Sequence, residues 1–425
     1  MTKVLLVLAA LLVITPYLAA QSNVASGEMH GAVTDPSGAA IPAAKVTVKN
    51  EDTGLARTDS TDVAGEYRLL LLPPGVYNVQ VEKEGFRSQV AKGVRVTVGQ
   101  VAIVDLKLDL GATTQIVEVS GAASLIESER SHSATTLEQE SVYNLPINRR
   151  DYLTFALLAP GVVDSTALAD NTDYRVKQTP TSGLSFYGSN GRGNSITIDG
   201  GEANDDGGGV RPTMSQEAVQ EFQINRSNYS AELGGASGGV INIVSKSGAN
   251  TVHGSLFGFF RHESMDAVNP FANVLQGGRL VRVKPDSRRQ QFGGTIGGPL
   301  RKDRTFFFAG VEGLRRDESA VVPVLTDLSI FGPTPAQNAV LDTLPAALAS
   351  PLRAALTSPQ STVDLFTANS GIFPFTTRDW KFSARIDHRI GDNDQLFFRY
   401  NYTNTHETNA NIQALVGASR GTRVE

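Results

Sequence analysis

Tyr229 to Lys246 reads Y-S-A-E-L-G-G-A-S-G-G-V-I-N-I-V-S-K. Four glycines in six residues (Gly234, Gly235, Gly238 and Gly239) mark a turn, because only glycine enters every backbone region cheaply. Val240 to Val244 follows as a short apolar strand, and a polar Ser-Lys-Ser-Gly closes it. Upstream lie Ile198-Asp199-Gly200 and the acidic-aromatic run Glu217 to Phe222. Downstream the chain changes character to long stretches of period two.

That change begins near Val252. Trp380, Phe382, Ala384, Ile386, His388 and Ile390 share one face, while Lys381, Ser383, Arg385, Asp387 and Arg389 share the other. After Gly391-Asp-Asn-Asp394 the pattern restarts, with Leu396, Phe398, Tyr400 and Tyr402 against Gln395, Phe397, Arg399 and Asn401. A soluble sandwich shows similar alternation. A densely charged polar face opposite Trp, Phe and Tyr near strand ends favours an apolar-out, polar-in membrane barrel. Connections alternate between short (Gly298 to Asp303, Gly391 to Asp394) and long (about Glu263 to Ser287, about Asp317 to Thr376). Such barrels have short periplasmic turns and longer external loops.

The run from Tyr229 resembles the end of the plug domain of TonB-dependent outer-membrane transporters. Tyr187 to Gly200 resembles the plug's central hairpin, and Phe292 to Phe308 is similar to the Oar-like branch of the family. The resemblance implies a mainly β chain with an α/β plug domain over residues 121–250. The first strands of an incomplete antiparallel transmembrane β-barrel would follow over 251–425, about five strands where a closed barrel needs at least 8. An N-terminal fragment is therefore the expectation. The resemblance further implies plug-gated transport of an unknown ligand across the outer membrane of a Gram-negative bacterium. It implies outer-membrane lipid around the strands, a TonB-like energy-coupling protein in the periplasm, and N-terminal domains on the periplasmic side.

Residues 27–110 read as a small β-sandwich. Turn signals recur at Asp35-Pro-Ser-Gly38, Asp52-Thr-Gly54, Asp62-Val-Ala-Gly65, Pro73-Pro-Gly75 and Glu84-Gly85. Tyr77, Val79 and Val81 fall on one face, as do Val104, Leu106 and Leu108. Gly31 to Val48, Thr61 to Tyr67 and Leu72 to Tyr77 resemble the carboxypeptidase regulatory-like domain, which implies a transthyretin-like β-sandwich acting as an accessory module. Residues 1–20 carry Lys3, an apolar stretch from Val4 to Ile14, and Leu18-Ala19-Ala20, the order of a secretory signal peptide. The stretch is too short to span a bilayer as a helix, which takes about 20 residues.

Between sandwich and plug, residues 111–120 form an extended linker. Gln115, Ile116, Val117, Glu118 and Val119 look like a TonB box, a free strand that pairs with a sheet edge on the partner. The alternative is the first strand of the plug; both stay open on sequence.

Composition closes several classes. With 43 acidic and 38 basic residues the chain has a net charge of −5 and no basic stripe, so no nucleic-acid binding is expected. It has no cysteine, which removes disulfides, Cys-ligated zinc and thiol catalysis. None of the six histidines stands at metal-ligand spacing. Gly235-Ala-Ser-Gly-Gly239 matches G-x-S-x-G, but a nucleophile elbow needs a strand before Ser237 and a helix after it, and here a β-branched strand follows. No catalytic residue, metal or cofactor is expected. Asp199, Asp205 and Asp206 sit among glycines as calcium candidates without EF-hand spacing, and a solvated loop tip is the preferred reading. Asp205, Asp206 and Arg211 are weak candidates for substrate contact. The reading from a different class is a secreted or surface β-sandwich binding protein, adhesin-like, without transport.

Overall fold

The computed structural model describes residues 25–111, 116–120, 133–145, 150, 152–164, 184–189, 193–204, 214–276, 279–322, 327–391, 394–408 and 423–424. Residues 1–20, read above as a signal peptide, lie outside them, as do Gln115, Asp205, Asp206 and Arg211.

The sandwich consists of β1 (Gly27–Thr34), β2 (Lys45–Asn50), β3 (Ala56–Ser60), β4 (Glu66–Leu72), β5 (Gly75–Glu82), β6 (Ser88–Val96), β7 (Val101–Ile103) and β8 (Leu106–Lys107). One sheet runs β4-β1-β7 with β8 also on β1; the other runs β3-β2-β5-β6. Tyr77, Val79, Val81, Leu106 and Leu108 are buried between the sheets, as their alternation predicts, alongside Met29, Val46, Val48 and Leu72. Tyr67 is buried too, and its hydroxyl donates to the Val104 carbonyl at 2.7 Å, which removes the cost of enclosing a phenol.

The second sheet does not end at β6. The linker strand β9 (Ile116–Ser120) pairs with it in parallel, from Ser88↔Ile116 to Lys92↔Ser120. The segment is therefore neither a free strand nor a strand of the plug sheet. It covers an edge that would otherwise leave backbone groups unpaired.

The plug region holds β10 (Ser133–Glu138), a short helix α1 (Gln139–Asn144), β11 (Val162–Asp164), β12 (Leu184–Phe186), β13 (Ser195–Ile198), β14 (Gly201–Glu202), β15 (Val219–Ser227) and β16 (Val240–Ser245). Its main sheet runs β10-β15-β16-β13-β14, with β13 parallel to β16 and the other pairs antiparallel. All six residues of β16 are buried, so the strand is covered on both faces. Ile241 and Ile243 enter the plug core, and Asn242 accepts a hydrogen bond from Thr197 Oγ1 at 2.9 Å.

The third region contains β17 (His253–His262), β18 (Asn273–Gln276), β19 (Arg279–Arg282), β20 (Ser287–Arg301), β21 (Thr305–Val322), β22 (Gly371–Arg389), β23 (Gln395–Thr408) and β24 (Arg423–Val424). The wall runs β17-β20-β21-β22-β23-β24 with neighbours antiparallel: five long strands and a two-residue sixth. It is an open sheet, not a closed barrel. The first long loop carries the β18–β19 hairpin; the second carries α2 (Pro335–Leu341), α3 (Ala346–Leu356) and α4 (Gln360–Ala368). That second loop is shorter than its sequence suggests. Residues 317–322 and 371–376 pair in register from Asp317↔Thr376 to Val322↔Gly371, extending β21 and β22. Their polar-apolar alternation fades there, so periodicity marks only the part of each strand with two contrasting environments.

Exposure follows the expected faces. Trp380 (52%), Ile386 and Phe398 (66%) lie open on the outer side, while Glu312, Ser383 and Asp379 are buried on the inner side, Glu312 against Ser215 of the plug. Gly313 leaves room for the Trp380 ring, which stands edge-on to Phe292 with centroids 5.7 Å apart. Among the described residues no helix is long and apolar enough to cross a membrane.

Candidate functional site

The plug meets the wall through buried charge. Arg385 on β22 and Arg399 on β23 are direct register partners and point inward. Like charges in that relation repel. The counter-charge comes from the plug: Asp199, directly after β13, lies 2.8 Å from Arg399 Nη1 and 3.4 Å from Arg385 Nη1. Its side chain is 1% exposed.

Local sequence explains the placement. Asp199 has φ 47° and Gly200 φ 82°, so the chain reverses tightly at the end of β13. The reversal turns the carboxylate back onto β16, where it accepts from the Ser245 backbone N–H at 2.8 Å and from Ser245 Oγ at 2.5 Å. Arg385 also donates to Ser245 Oγ and to the Ser245 carbonyl, and its guanidinium holds Asp387. Ile198-Asp-Gly200 is thus a latch and not the solvated loop tip expected from its glycines. The loop reading fails because two cations on distant strands converge on Asp199, which no local pattern reveals.

Two further contacts flank the latch. Arg150 Nη2 lies 2.5 Å from Glu217 Oε1, and its guanidinium stacks over Phe257 and Phe259 of β17 at 4.7 and 4.6 Å from the ring centroids. Ser215 Oγ donates to Glu312 on β21 at 2.5 Å, and Gln291 on β20 donates to the same carboxylate at 2.7 Å. Phe308 of β21 completes the plug core. Lys246, at the end of the quoted run, donates to the Tyr143 hydroxyl; burial lowers its pKa to about 8, opposed by the Glu217 charge.

The sandwich is docked. Val98, just after β6, gives its N–H to Glu221 Oε2 at 2.8 Å, and its carbonyl accepts from Gln223 Nε2 at 3.0 Å. Two side chains two residues apart on β15 thus grip one peptide as a neighbouring strand would. Burial raises the Glu221 carboxyl to about 7, against the lowering effect of the Val98 N–H and Arg95; Glu138 adds to the rise. Arg95 pairs with Glu138 at 2.7 Å. The sandwich also reaches the wall: Asn250 gives its N–H to the Asp52 carbonyl at 2.8 Å, and its side-chain amide exchanges two hydrogen bonds with Asp303 in the β20–β21 turn.

Ser237 sits between a 3-10 turn (Ala231–Leu233) and β16, so the strand-turn-helix of a nucleophile elbow is not built around it. No cluster of three metal-ligating side chains exists among the described residues.

An inward-charged, outward-aromatic open wall packed on a small mixed sheet has the architecture of the first strands of an outer-membrane β-barrel beside a plug. The model of the Outer membrane beta barrel domain matches residues 244–424, and that of the Carboxypeptidase regulatory-like domain matches residues 28–109. The chain is similar to the TonB-dependent transporter Oar of Myxococcus xanthus, with 31% identity over 284 residues, 63% of this chain and 25% of the relative. It therefore spans about a quarter of the length of that relative. Similar solved structures include the siderophore receptor PirA from Acinetobacter baumannii (15% identity, TM-score 0.39, 68% of this chain and 35% of that one). The outer membrane transporter YddB from Escherichia coli is another (14% identity, TM-score 0.40, 64% and 33%). The barrel domain and the Oar relationship place the chain in the outer membrane of a Gram-negative bacterium.

Proposed function

We propose that the protein moves a ligand across the outer membrane by a plug gate, energised through a TonB-like periplasmic partner that acts on residues 115–119. The sandwich, residues 27–110, and the linker, 111–120, stand in the periplasm; the plug, 121–250, stands inside the wall that begins at 251. Asp205, Asp206 and Arg211 would contact the ligand. No covalent chemistry is required.

The observation that carries the gate is the Asp199 carboxylate held between Arg385 and Arg399. A plug that must release on demand needs a strong but local tie to the wall. Buried ion pairs meet that need: they are costly to break one-sidedly, by roughly 3–5 kcal/mol, yet add little net stability over apolar packing. The chain links the coupling segment to the latch first by sequence and then through paired strands. β9 leads in sequence to β10, which pairs with β15; β15 pairs with β16, and β16 with β13, whose last residue precedes Asp199. A pull on the chain ahead of β10 would reach the tie across those paired strands.

The test uses the absence of cysteine from this chain, with any cysteine elsewhere in the complete gene replaced by serine. Ser383→Cys places a thiol on the inner, plug-covered face of β22. In whole cells carrying the complete gene, maleimide labelling of that thiol is expected to rise when the inner membrane is energised and to fall with a protonophore. Removal of 115–119 is expected to abolish the rise. Labelling that ignores both the gradient and the deletion would refute partner-driven gating.

A further inference from the structure

We infer that the regulatory-like sandwich sequesters the coupling segment, and that β9 must peel from β6 before the partner can take it. The inference rests on the reading of residues 115–119 as the coupling segment.

A coupling strand that works by augmentation offers its backbone to a foreign sheet edge. Here that backbone is already engaged: five consecutive residues, Ile116 to Ser120, are in register with Ser88 to Lys92. The approach to the segment is tied down as well. The Gly111 N–H donates to the Gly85 carbonyl and the Arg87 N–H to the Asp109 carbonyl, with Phe86 bridged to Leu110. Only residues 112–115 separate this anchor from β9, a reach of at most about 17 Å when fully extended. Ile116, the first residue of β9, is thus held within that reach of the sandwich.

The sandwich cannot simply follow a departing segment. Val98 is gripped by Glu221 and Gln223 of the plug, and Asp52 is held by Asn250 near the wall. A partner drawing the segment away must therefore break the β6–β9 ladder. Two hosts, the β6 edge and the partner's sheet, compete for one strand. When only a fraction of the protein has β9 released, the partner's apparent affinity falls by that fraction. The device sets how readily the transporter accepts energy, and it would relax whenever a ligand or second protein shifts the sandwich.

Register supplies the test. Val90 and Glu118 are direct partners, and neighbouring parallel strands bring Cα atoms within the 4.4–6.8 Å that a disulfide spans. In V90C/E118C the bond should form under mild oxidation. Binding of the chain to the purified periplasmic domain of the source bacterium's TonB should fall at least tenfold on oxidation and recover fully with reductant. The reduced form is the internal control for folding. A variant lacking 115–119 runs alongside and should not bind. If the deletion binds normally, the coupling assignment fails and the inference fails with it. If the deletion abolishes binding but the oxidised lock binds as well as the reduced form, the partner adds to β9 in place, and sequestration alone is refuted. Failure of the disulfide to form would overturn the pairing itself.

Discussion

Arg385 and Arg399 face each other across the β22–β23 ladder, and a carboxylate from another part of the fold lies between them. Two adjacent strands thus carry a repulsive pair whose neutrality depends on the plug being seated. Asp199→Asn keeps the shape and removes the charge. It should loosen the plug by about 3–5 kcal/mol, the usual cost of leaving a buried charge unpaired. Limited proteolysis of the plug in detergent would report the loss, and adding Arg399→Met to Asp199→Asn should recover part of it. A double variant no better than the single one would remove the repulsion from the account.

Sandwich docking should depend on pH. The Glu221 carboxyl is raised to about 7 when docked and returns to the ordinary range near 4.3 when undocked and solvated. The docked state therefore binds protons more tightly, so docking is strongest below the undocked value and weakens as pH rises through about 7. The full swing is about 4 kcal/mol. Amide-exchange protection of Val98, corrected for intrinsic rates, should fall between pH 5 and about 8. Glu221→Gln, which keeps an acceptor for the Val98 N–H, should flatten the profile. An unchanged profile in that variant would assign the dependence to Glu138 or another group.

A charged residue on the outer face separates a membrane wall from a soluble sheet. Ile386 is 44% exposed and lies between Phe307 and Phe398 in register. In lipid, Ile386→Arg should cost roughly 2–4 kcal/mol if the site lies near the bilayer midplane. On a soluble sheet the same change at an exposed site should be nearly neutral. Assembly into vesicles, measured by the fraction gaining protease resistance, distinguishes the two. Wild-type assembly by the variant would take Ile386 off the lipid face, and failure of the wild type itself to gain protease resistance would argue for the adhesin-like reading.

Within the sandwich, Tyr67→Phe deletes the hydroxyl that satisfies the Val104 carbonyl. The orphaned buried acceptor should cost about 1–3 kcal/mol, read as an earlier denaturant midpoint for sandwich tryptic sites in the intact chain. No change would mean that water replaces the hydroxyl.

Legibility in the sequence followed the range of the interactions. Period-two patterns at Tyr77 to Val81 and Trp380 to Ile386 reported local contrasts between two faces, and the buried and exposed residues follow them. Upper strand ends, such as Asp317 to Val322, carried no such contrast, so their pairing was not visible. Asp199 was misread because its partners stand nearly two hundred residues away on other strands. One signal was present all the same: Arg385 and Arg399 sit at matching positions either side of the Gly391 turn, and two inward arginines in register require an anion from outside their sheet. The linker's partner, β6, was hidden for a related reason. Parallel pairing of distant segments leaves no turn residue between them to announce it.

Asn250 joins three parts of the molecule through one residue: its own position between plug and wall, the Asp52 carbonyl of the sandwich, and Asp303 in the first tight turn of the wall. A module fixed at such a junction is not an exchangeable cartridge. Grafting another sandwich onto this plug would require recutting the Asp52 loop and the Asp303 turn together, so the three parts are expected to vary in concert.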